Sequence, residues 1–517
     1  MSRPSTNRLS RATAPTSLLR RQGQMPQAGI VHLGLGSFHR AHQAVYTDAA
    51  IAERGGDWGI IGVASRSRQV VDAMREQDLL YTVATIEPSS SRYSVPRVHT
   101  DVLVGRDEPG RVVRSIAEPG VRIVSLTVTE HGYTFSPETG RLDLDDATIR
   151  HDLEDAAGPL STIGQITRGL QQRMLGCGEP ITVLSCDNLA HNGRRTGQLV
   201  LDFIEALDGA QAAELAAWVE SHVRFPSSMV DRIVPATLDS HRTAVTSALG
   251  YVDAVPVPAE PFSMWVIEDE FAGGRPHWES GGAVFSPEVD RYEEMKLRLL
   301  NGTHSLIAYL GALNGHATIP ESIADESIRG AARSVLRDEY LPSVRIPSGV
   351  DAGEYEEALF VRWQNSALGH RTSQVGSDGS VKLPQRVCVP ALALLDAGTM
   401  PHHLALTVAA YLACVAPPSG FDPGQHARAI QDPAAQRLAA LSARARSGVE
   451  LAHLVFDGGR IFPAELAARG DFIDRVGELL DTITRSGPRA AAREAASASD
   501  AGREPTAQDP TGAVGAP

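Results

Sequence analysis

The sequence predicts an α/β protein with a doubly wound N-terminal domain, followed by a mostly α-helical C-terminal domain. Short apolar runs rich in β-branched residues alternate with helical stretches over about the first 285 residues, as in a parallel sheet covered on both faces. A glycine turn separates the first apolar run from the helical stretch that follows it. Beyond about residue 285, helical periodicity dominates and strand patterns become sparse.

Four apolar runs are the candidate strands of the N-terminal domain. They occupy residues 30–33, 58–65, 121–130 and 180–188. Their nearly continuous apolar character indicates burial on both faces of a sheet, because a half-exposed strand alternates. A helical stretch at 163–174 lies between the last two runs, as a connection between parallel strands requires.

The C-terminal domain is predicted from stretches with apolar residues at helical spacing. These stretches span residues 292–313, 327–337, 355–367, 387–395, 402–415 and 434–446. The most apolar segment of the chain, residues 403–417, is shorter than the ~18 residues that cross a bilayer. We therefore expect it to be a buried helix and expect no membrane partner.

The two ends of the chain differ from the rest in composition. The first 24 residues carry arginine, serine and threonine without an acid, which fits a transit peptide or a disordered extension. We favour the extension, because no apolar helical face accompanies the arginines. Residues 487–517 hold almost no large apolar side chain. The expected organisation is a flexible extension (1–25), a dinucleotide-binding domain (26–285), a helical substrate and catalytic domain (286–486) and a disordered tail (487–517).

The overall charge and the cysteines narrow the class of protein. A net charge of −14 argues against nucleic acid as the main partner, although a local basic pocket can still bind a small anion. The four cysteines form no CxxC pair, and no cysteine–histidine group has zinc spacing. We therefore expect free thiols, a cytoplasmic location and no metal site.

The turn after the first predicted strand contains Gly34 and Gly36, and a helical stretch follows it. Strand, glycine turn and helix form the context of a dinucleotide site, where the backbone approaches a pyrophosphate. The full motif would place glycine or alanine at position 39, where this chain has His39. By itself the turn is weak evidence for a nucleotide site, because glycine turns after strands are common.

The stretch LRLLNGTHSLIAYLG, residues 297–311, is a buried helix by its apolar spacing, yet it carries polar groups. Asn301 and His304 are three residues apart and share a face, which the long side chain of Lys296 also reaches. For an alcohol oxidation, a lysine of lowered pKa takes the proton and an amide stabilises the alkoxide. The alternative is a surface lysine, an Asn-Gly interruption and a core histidine.

Two further polar segments follow predicted strands or turns. SCDNLAHNG, residues 185–193, offers Asn188 and Asn192 at the strand end where open sheets bind ligands, or else forms an Asx-type turn. FPSSMVDRIVP, residues 225–235, offers Asp231 and Arg232, which by themselves indicate a structural ion pair.

Six stretches, spread over about residues 28–415, are informative when they are considered together. They are IVHLGLGSFHRAHQAVYTD, RIVSLTVTEHGY, SCDNLAHNG, FPSSMVDRIVP, EPFSMWVIEDEF and KLRLLNGTHSLIAYLG. Together they resemble the mannitol dehydrogenase family of polyol-specific long-chain dehydrogenases. The resemblance implies a Rossmann-type N-terminal domain, a helical C-terminal domain and metal-free oxidation of a sugar alcohol or aldonate at a secondary hydroxyl. It also implies that GSFHRAH is this family's own form of the turn.

The resemblance assigns roles to individual residues. Lys296 is the implied base, Asn192 and Asn301 stabilise the alkoxide, His304 positions the substrate, and Glu293 relays or gates the proton. The implied substrate contacts are Asp231, His370, Arg371 and Lys382. The implied cofactor contacts are Gly34, Gly36, Phe38, Arg40, Arg66, Arg68, Thr129 and Glu130.

The segment HRTSQVGSDGSVKLPQR, residues 370–386, resembles the fructuronate reductase (D-mannonate oxidoreductase) branch. It has Gln374 where mannitol 2-dehydrogenases tend to carry arginine, and it gathers His370, Arg371, Lys382 and Arg386. Arginine and lysine bind the carboxylate that a hexuronate has and mannitol lacks. The stretches GVASRS and NLAHN are more similar to the mannitol branch. Mannitol 2-dehydrogenase or another polyol dehydrogenase therefore stays an alternative. A nucleotide sensor without catalysis is a remote one.

The cofactor preference depends on the segment after the second predicted strand. An NAD enzyme usually places an acid there for the ribose 2′-hydroxyl, whereas this chain reads Arg66-Ser67-Arg68. We expect NAD, with NADP as the alternative because two arginines suit a 2′-phosphate. The expected partners are a sugar acid or sugar alcohol, and the expected state is a monomer or a small homo-oligomer.

Overall fold

The computed structural model describes residues 7–136, 138–207 and 209–501. Two compact units divide the chain, one over Met1–Glu293 and one over Glu294–Pro517. No helix within the described ranges is both long and apolar enough to cross a membrane. None of the four cysteines is in a disulfide, and three of them are buried.

The N-terminal unit alternates strands with helices, as its apolar runs predict. Its strands are β1 (Ala28–Leu33), β2 (Gly59–Ala64), β3 (Val83–Ile86), β4 (Ser91–Ser94), β5 (His99–Val104), β6 (Ile123–Leu126), β7 (Ile181–Ser185), β8 (Val223–Arg224), β9 (Ser228–Asp231), β10 (Val257–Ala259), β11 (Met264–Ile267) and β12 (Val284–Phe285). Its helices are α1 (Ser37–Ala41), α2 (Gln43–Arg54), α3 (Arg68–Glu76), α4 (Pro109–Ala117), α5 (Ala147–Glu154), α6 (Thr162–Leu175), α7 (Asn192–Glu205), α8 (Ala210–His222) and α9 (Asp239–Leu249).

The main sheet of this unit has the strand order β5-β2-β1-β6-β7-β8, and every neighbouring pair is parallel. In sequence this is the order 3-2-1-4-5-6 of the Rossmann fold, built of two βαβαβ halves. The order reverses between β1 and β6, where the connections depart to opposite faces of the sheet. A crevice forms at the carboxyl ends of the strands at such a point, and dinucleotides bind there.

Two small sheets accompany the main one, β10-β3-β4 and β12-β11-β9. Their strands are only two to four residues long, too short to distinguish from loops in the sequence. The strand β9 ends at Asp231, which pairs in register with Met264 of β11.

The N-terminal extension departs from expectation, since residues 7–25 are packed against the unit. Leu9 is fully buried among Leu80, Val95, Val245 and Tyr251. Its backbone N–H donates to the carbonyl of Val252 at 3.0 Å. Ala14, Leu18 and Leu19 pack against the same cluster, and these irregularly spaced residues form no helical face that the sequence could reveal. Residues 1–6 lie outside the described residues.

The C-terminal unit is helical over its described length, as expected. The helices from the unit boundary onward are α10 (Val289–Met295), α11 (Thr303–Leu313), α12 (Ile319–Ala324), α13 (Glu326–Ser334), α14 (Ala352–Trp363), α15 (Thr372–Gly376), α16 (Gly379–Asp396), α17 (His402–Val415), α18 (Gly424–Arg428), α19 (Ala435–Ser442), α20 (Gly448–Gly458), α21 (Ala464–Ala467), α22 (Gly470–Ser486) and α23 (Pro488–Ala501). Two π-helical segments, Lys296–Gly302 and Val335–Tyr340, join α10 to α11 and follow α13.

Helix α23 corrects the expectation of disorder from residue 487. Ala491, Ala492 and Ala495 form its buried face. Alanine is the strongest helix former, and Pro488 suits the first helical position. Packing against neighbouring helices stabilises a helix of small residues that the count of large apolar side chains does not detect. Residues 502–517, the rest of the predicted tail, lie outside the described residues.

Candidate functional site

The glycine turn after β1 lies at the switch point of the main sheet. Gly34 has φ +112°, and a Cβ there would lie 2.0 Å from the carbonyl oxygen of Thr127, just beyond β6. Glycine is therefore required for β1 and β6 to end side by side. A Cβ at Gly36 would meet nothing nearer than 3.8 Å, so the backbone there is open to an approaching group. This pair of properties is what a pyrophosphate site needs.

His39, at the position of the missing third glycine, belongs to a buried cluster of histidines beneath the turn. Its ring stacks on His32 with a centroid distance of 3.4 Å, and its Nε2 lies 3.3 Å from Nε2 of His99. Burial lowers the pKa of His32 and of His99 to about 3 and holds that of His39 well below its usual range. The three rings are neutral at pH 7 and brace the turn through one stacked contact and one edge-to-face contact.

Arg40 and Phe38 both serve the turn from inside the unit. The guanidinium of Arg40 is buried and donates to the carbonyl oxygens of Gly36, at 3.3 Å, and Val255, at 2.6 Å. Phe38 stacks on His42 at 4.9 Å. Arg40 therefore holds the backbone of the turn, and contact between its charge and a cofactor stays a prediction.

The predicted cofactor contacts beside the turn are exposed. Arg66 and Arg68 follow β2, and Arg68 forms an ion pair of 2.8 Å with Asp107. Thr129 and Glu130 follow β6. Because the strands are parallel, all four lie at the same edge of the sheet as the glycine turn. The structure thus brings the predicted cofactor residues together, with no acid directly after β2.

Past β7, Asp187 joins two loops of this edge. Its carboxylate accepts a hydrogen bond from the backbone of Val128 at 2.6 Å and others from the hydroxyls of Tyr133 and Ser185. Burial raises the pKa of Asp187 to about 7. The carboxylate therefore ties the end of β6 to the loop that leads into α7.

Asn192 is fully buried at the start of α7, and its amide is occupied by the backbone. Its Nδ2 donates to the carbonyl oxygens of Asp187, at 2.9 Å, and Ser228, at 2.7 Å, while its Oδ1 accepts from the N–H of Ser228 at 3.0 Å. In this arrangement Asn192 fixes β9 beside the loop after β7. Its role toward an alkoxide stays a prediction.

Glu293 accepts a hydrogen bond from the backbone of His191 at 3.2 Å. Together with Asp290, these two residues place three potential metal ligands within 4.8 Å of one another. His191 and Asp290 are exposed, and Arg194 lies 3.9 Å from Asp290, so its positive charge competes with a cation. The group gives no reason to assign a metal.

Asp231 is buried, as a substrate-binding or structural acid would be. Arg232 does not form the ion pair with Asp231 that the sequence suggested. Arg232 instead donates to the backbone carbonyls of Ala41 and Glu260. Neighbouring side chains of a strand point to opposite faces, which explains why the two separate.

In the C-terminal unit, the helix with Lys296, Asn301 and His304 is not a uniform α-helix. Residues Lys296–Gly302 form a π-helical segment. π-helical turns are rare and concentrate at functional sites. A Cβ at Gly302 would lie 2.4 Å from the ring and hydroxyl of the buried Tyr340. The wider turn thus coincides with a close packing contact that only glycine permits.

The three polar residues of this helix differ in their surroundings. Lys296 and Asn301 are half-buried, and the Asn301 amide makes no hydrogen bond with another residue in the described ranges. His304 is only 7% exposed, and burial, together with the nearby His370 and the cations Arg386, Arg362 and Lys382, holds its pKa well below its usual range. Its Nε2 has no hydrogen-bond partner in the described protein. Asn301 and His304 are therefore available to a ligand.

The basic stretch 370–386 is partly assembled near His304. The ring of His370 lies 5.0 Å from that of His304, edge to face. Lys382 donates to the carbonyl of Ser377 at 2.7 Å, and Arg386 donates to Asn301 and Ser305. Arg371 is exposed and shows no comparable contact in the described chain. Of the predicted cluster, His370, Lys382 and Arg386 thus gather near the π-helical segment.

Several residues of these sites were not predicted as site residues. Tyr340, Arg362, Tyr133 and Asp187 lie far in sequence from the residues they serve. Only the pattern DN after a predicted strand hinted at Asp187, and no local pattern marks Tyr340.

Comparison with known proteins covers both halves of the chain. The family model described as the mannitol dehydrogenase Rossmann domain matches residues 28–280, and that of the mannitol dehydrogenase C-terminal domain matches residues 288–484. The D-mannonate oxidoreductase of Escherichia coli is 37% identical over 471 residues, which are 90% of this chain and 94% of that protein. The polyol:NADP oxidoreductase of Gluconobacter oxydans is 35% identical over 69% of this chain and 73% of its own length.

Among solved structures, the mannitol 2-dehydrogenase of Pseudomonas fluorescens, in a ternary complex with NAD and D-mannitol, superimposes with a TM-score of 0.81 at 33% identity. The match covers 95% of this chain and 99% of that one. Sequence motifs, strand order and alignments over nearly the whole length agree, and the chain is an oxidoreductase that belongs to the mannitol dehydrogenase family.

Proposed function

We propose that the protein interconverts D-mannonate and D-fructuronate with NAD(H), or with NADP(H), by metal-free, lysine-assisted hydride transfer. The observation that carries the choice of a sugar acid is the charge around His304. The neighbouring groups with the largest effect on His304 all lower its pKa, and three of them are the cations Arg386, Arg362 and Lys382. Surroundings with this concentration of positive charge suit a substrate with a carboxylate.

The residues of the C-terminal unit supply the proton chemistry of this proposal. Lys296 takes the hydroxyl proton as the carbinol becomes a carbonyl, and Asn301 donates its free amide to the developing alkoxide. His304, neutral at pH 7, offers its unpartnered Nε2 to a substrate hydroxyl. A neutral imidazole serves here because it hydrogen-bonds a hydroxyl without adding charge. Asp231, His370, Arg371 and Lys382 are the proposed further substrate contacts.

Further roles of this proposal belong to the N-terminal unit. Glu293 relays or gates the proton. Asn192 stabilises the alkoxide after its amide leaves one of the backbone carbonyls it holds, since both of its amide hydrogens are occupied.

The N-terminal unit fits a nicotinamide dinucleotide, which accepts the hydride when bound. The open backbone at Gly36 admits the pyrophosphate, and Phe38, Thr129 and Glu130 line the same region. Arg66 and Arg68 lie where the adenosine ribose binds in this fold. Relatives support both cofactors, since one was solved with NAD and another is named for NADP.

The alternative is mannitol 2-dehydrogenase, and the alignment with the Pseudomonas enzyme in complex with D-mannitol favours it. D-Fructuronate and D-fructose differ only at C6, which is a carboxylate in one and a hydroxymethyl in the other. NADH and NADPH oxidation by the purified protein with each sugar tests the two proposals together. Turnover of fructuronate alone supports the sugar-acid enzyme, whereas turnover of fructose alone makes the protein a mannitol 2-dehydrogenase.

A further inference from the structure

Arg386, on α16, is a desolvated guanidinium without an acidic partner. Its Nη1 donates to the backbone carbonyl of Asn301 at 3.1 Å and to the hydroxyl of Ser305 at 2.7 Å. Burial lowers the pKa of Arg386. No carboxylate of the described residues forms an ion pair with it, since both of its partners are neutral. Charges withdrawn from water are normally paired, so an unpaired one indicates an anionic ligand.

Two other shielded arginines of this unit each have an acidic partner. Arg298 pairs with Glu294 at 2.8 Å, and Arg475 pairs with Glu494 at 2.7 Å. Lys382, one turn before Arg386 on the same face of α16, has Asp378 at 3.6 Å. Like charges at this spacing repel each other. Arg386 is therefore the desolvated cation of the basic stretch beside which the described chain places no opposite charge.

A second observation points to a ligand at the same place. The Nε2 of His304 and the hydroxyl of Tyr340 are both buried without a hydrogen-bond partner within the described chain. Arg386 is close enough to influence the titration of both groups. Unpaired polar groups inside a protein carry an energetic cost, which a bound polar molecule removes. A cation and two hydrogen-bonding groups without partners in the described chain are what an anionic ligand would need.

We infer that Arg386 binds the substrate carboxylate and is the residue by which this enzyme distinguishes a sugar acid from a sugar alcohol. The inference rests on the proposed function and specifies it. One arm of the guanidinium is fixed on Asn301 and Ser305, so the rest of the fork remains for a carboxylate. A bound carboxylate then also steadies the π-helical segment through the carbonyl of Asn301. Acid recognition and the placing of the Asn301 amide are thereby coupled.

The test compares Arg386→Gln and Arg386→Lys with the wild-type enzyme, using D-fructuronate and D-fructose. Arg437→Gln, at an exposed arginine of α19, is the matched control for the loss of one positive charge. We expect Arg386→Gln to lower kcat/KM for fructuronate about 100-fold, because charge-assisted hydrogen bonds are lost. We expect a smaller loss of fructose turnover, because Arg386 also holds the carbonyl of Asn301, and we expect Arg386→Lys to retain part of the preference.

Binding of D-mannonate and of D-mannitol, measured by calorimetry with cofactor present, separates this inference from the proposed function. Mannonate binding that needs Arg386 but leads to no turnover would keep the inference and reject the proposed reaction. Three results would overturn the inference: equal losses with both sugars in both variants, an unchanged preference in Arg386→Gln, or a wild-type protein that does not bind mannonate. A melting temperature for each variant identifies a folding defect.

Discussion

The contact between Gly302 and Tyr340 predicts that Gly302→Ala distorts the π-helical segment. An added Cβ would lie 2.4 Å from both Cζ and the hydroxyl oxygen of Tyr340, against an ordinary contact distance of about 3.5–4.0 Å. The Tyr340 ring is fully buried, so it cannot swing into solvent. Forcing extra volume into such packing costs about 1–3 kcal/mol. We expect that loss in the free energy of unfolding, together with a lower kcat, because Asn301 is the adjacent residue.

Gly330→Ala is the matched control, since Gly330 lies within α13 and a Cβ there meets nothing within 4 Å. Replacing a glycine inside a helix with alanine stabilises by about 0.5–1 kcal/mol when space is available. The two substitutions are chemically identical, so their opposite signs isolate the tyrosine contact.

The assay is urea unfolding of both variants, with kcat measured on the same preparations. A double variant, Gly302→Ala with Tyr340→Leu, tests the contact directly, because the alanine should cost less once the ring is removed. The reasoning is refuted if Gly302→Ala is as stabilising as Gly330→Ala, or if its cost is unchanged when leucine already replaces Tyr340.

Three further outcomes are expected. Lys296→Ala should lower kcat by about 10²–10⁴-fold, as the loss of a general base does, while NADH binding measured by fluorescence stays near that of the wild type. Arg66→Gln should lower kcat/KM for NADPH relative to NADH by about tenfold, because an arginine beside the 2′-phosphate contributes a charge-assisted bond. Asp187→Asn should remove a pH dependence of stability. The wild-type melting temperature should fall relative to that of the variant between pH 5 and pH 8, since the folded carboxyl releases its proton near 7 and the unfolded one near 3.9.

Each outcome has a result that contradicts it. Near-normal turnover in the Lys296 variant would reject that residue as the base, and an equal loss with both cofactors would reject the phosphate contact of Arg66.

The direction of the expected change in melting temperature with pH follows from the raised pKa of Asp187. Protonation stabilises the folded state at low pH, and this contribution is lost as the pH rises through about 7. Parallel melting curves for wild type and Asp187→Asn at every pH would contradict it.

Local sequence patterns were sufficient to predict the overall architecture. The predicted strands at 30–33 and 58–65 and the predicted helix at 402–415 correspond to β1, β2 and α17. These elements are long or strongly apolar, so burial and backbone preference agree. The start of α16 escaped prediction because Pro384 lies just before the predicted stretch 387–395, and proline normally ends a helix.

The sequence by itself determined the fold class, the family and the presence of an amine, an amide and an imidazole on one helix, because these depend on residues close together in the chain. Only the tertiary structure decided how those groups are held. The buried contact between His39 and His99 joins residues 60 positions apart, and the anchoring of Arg386 on Asn301 joins residues 85 positions apart. Such contacts arise when distant elements pack, and no periodicity along the chain encodes which side chains will meet there.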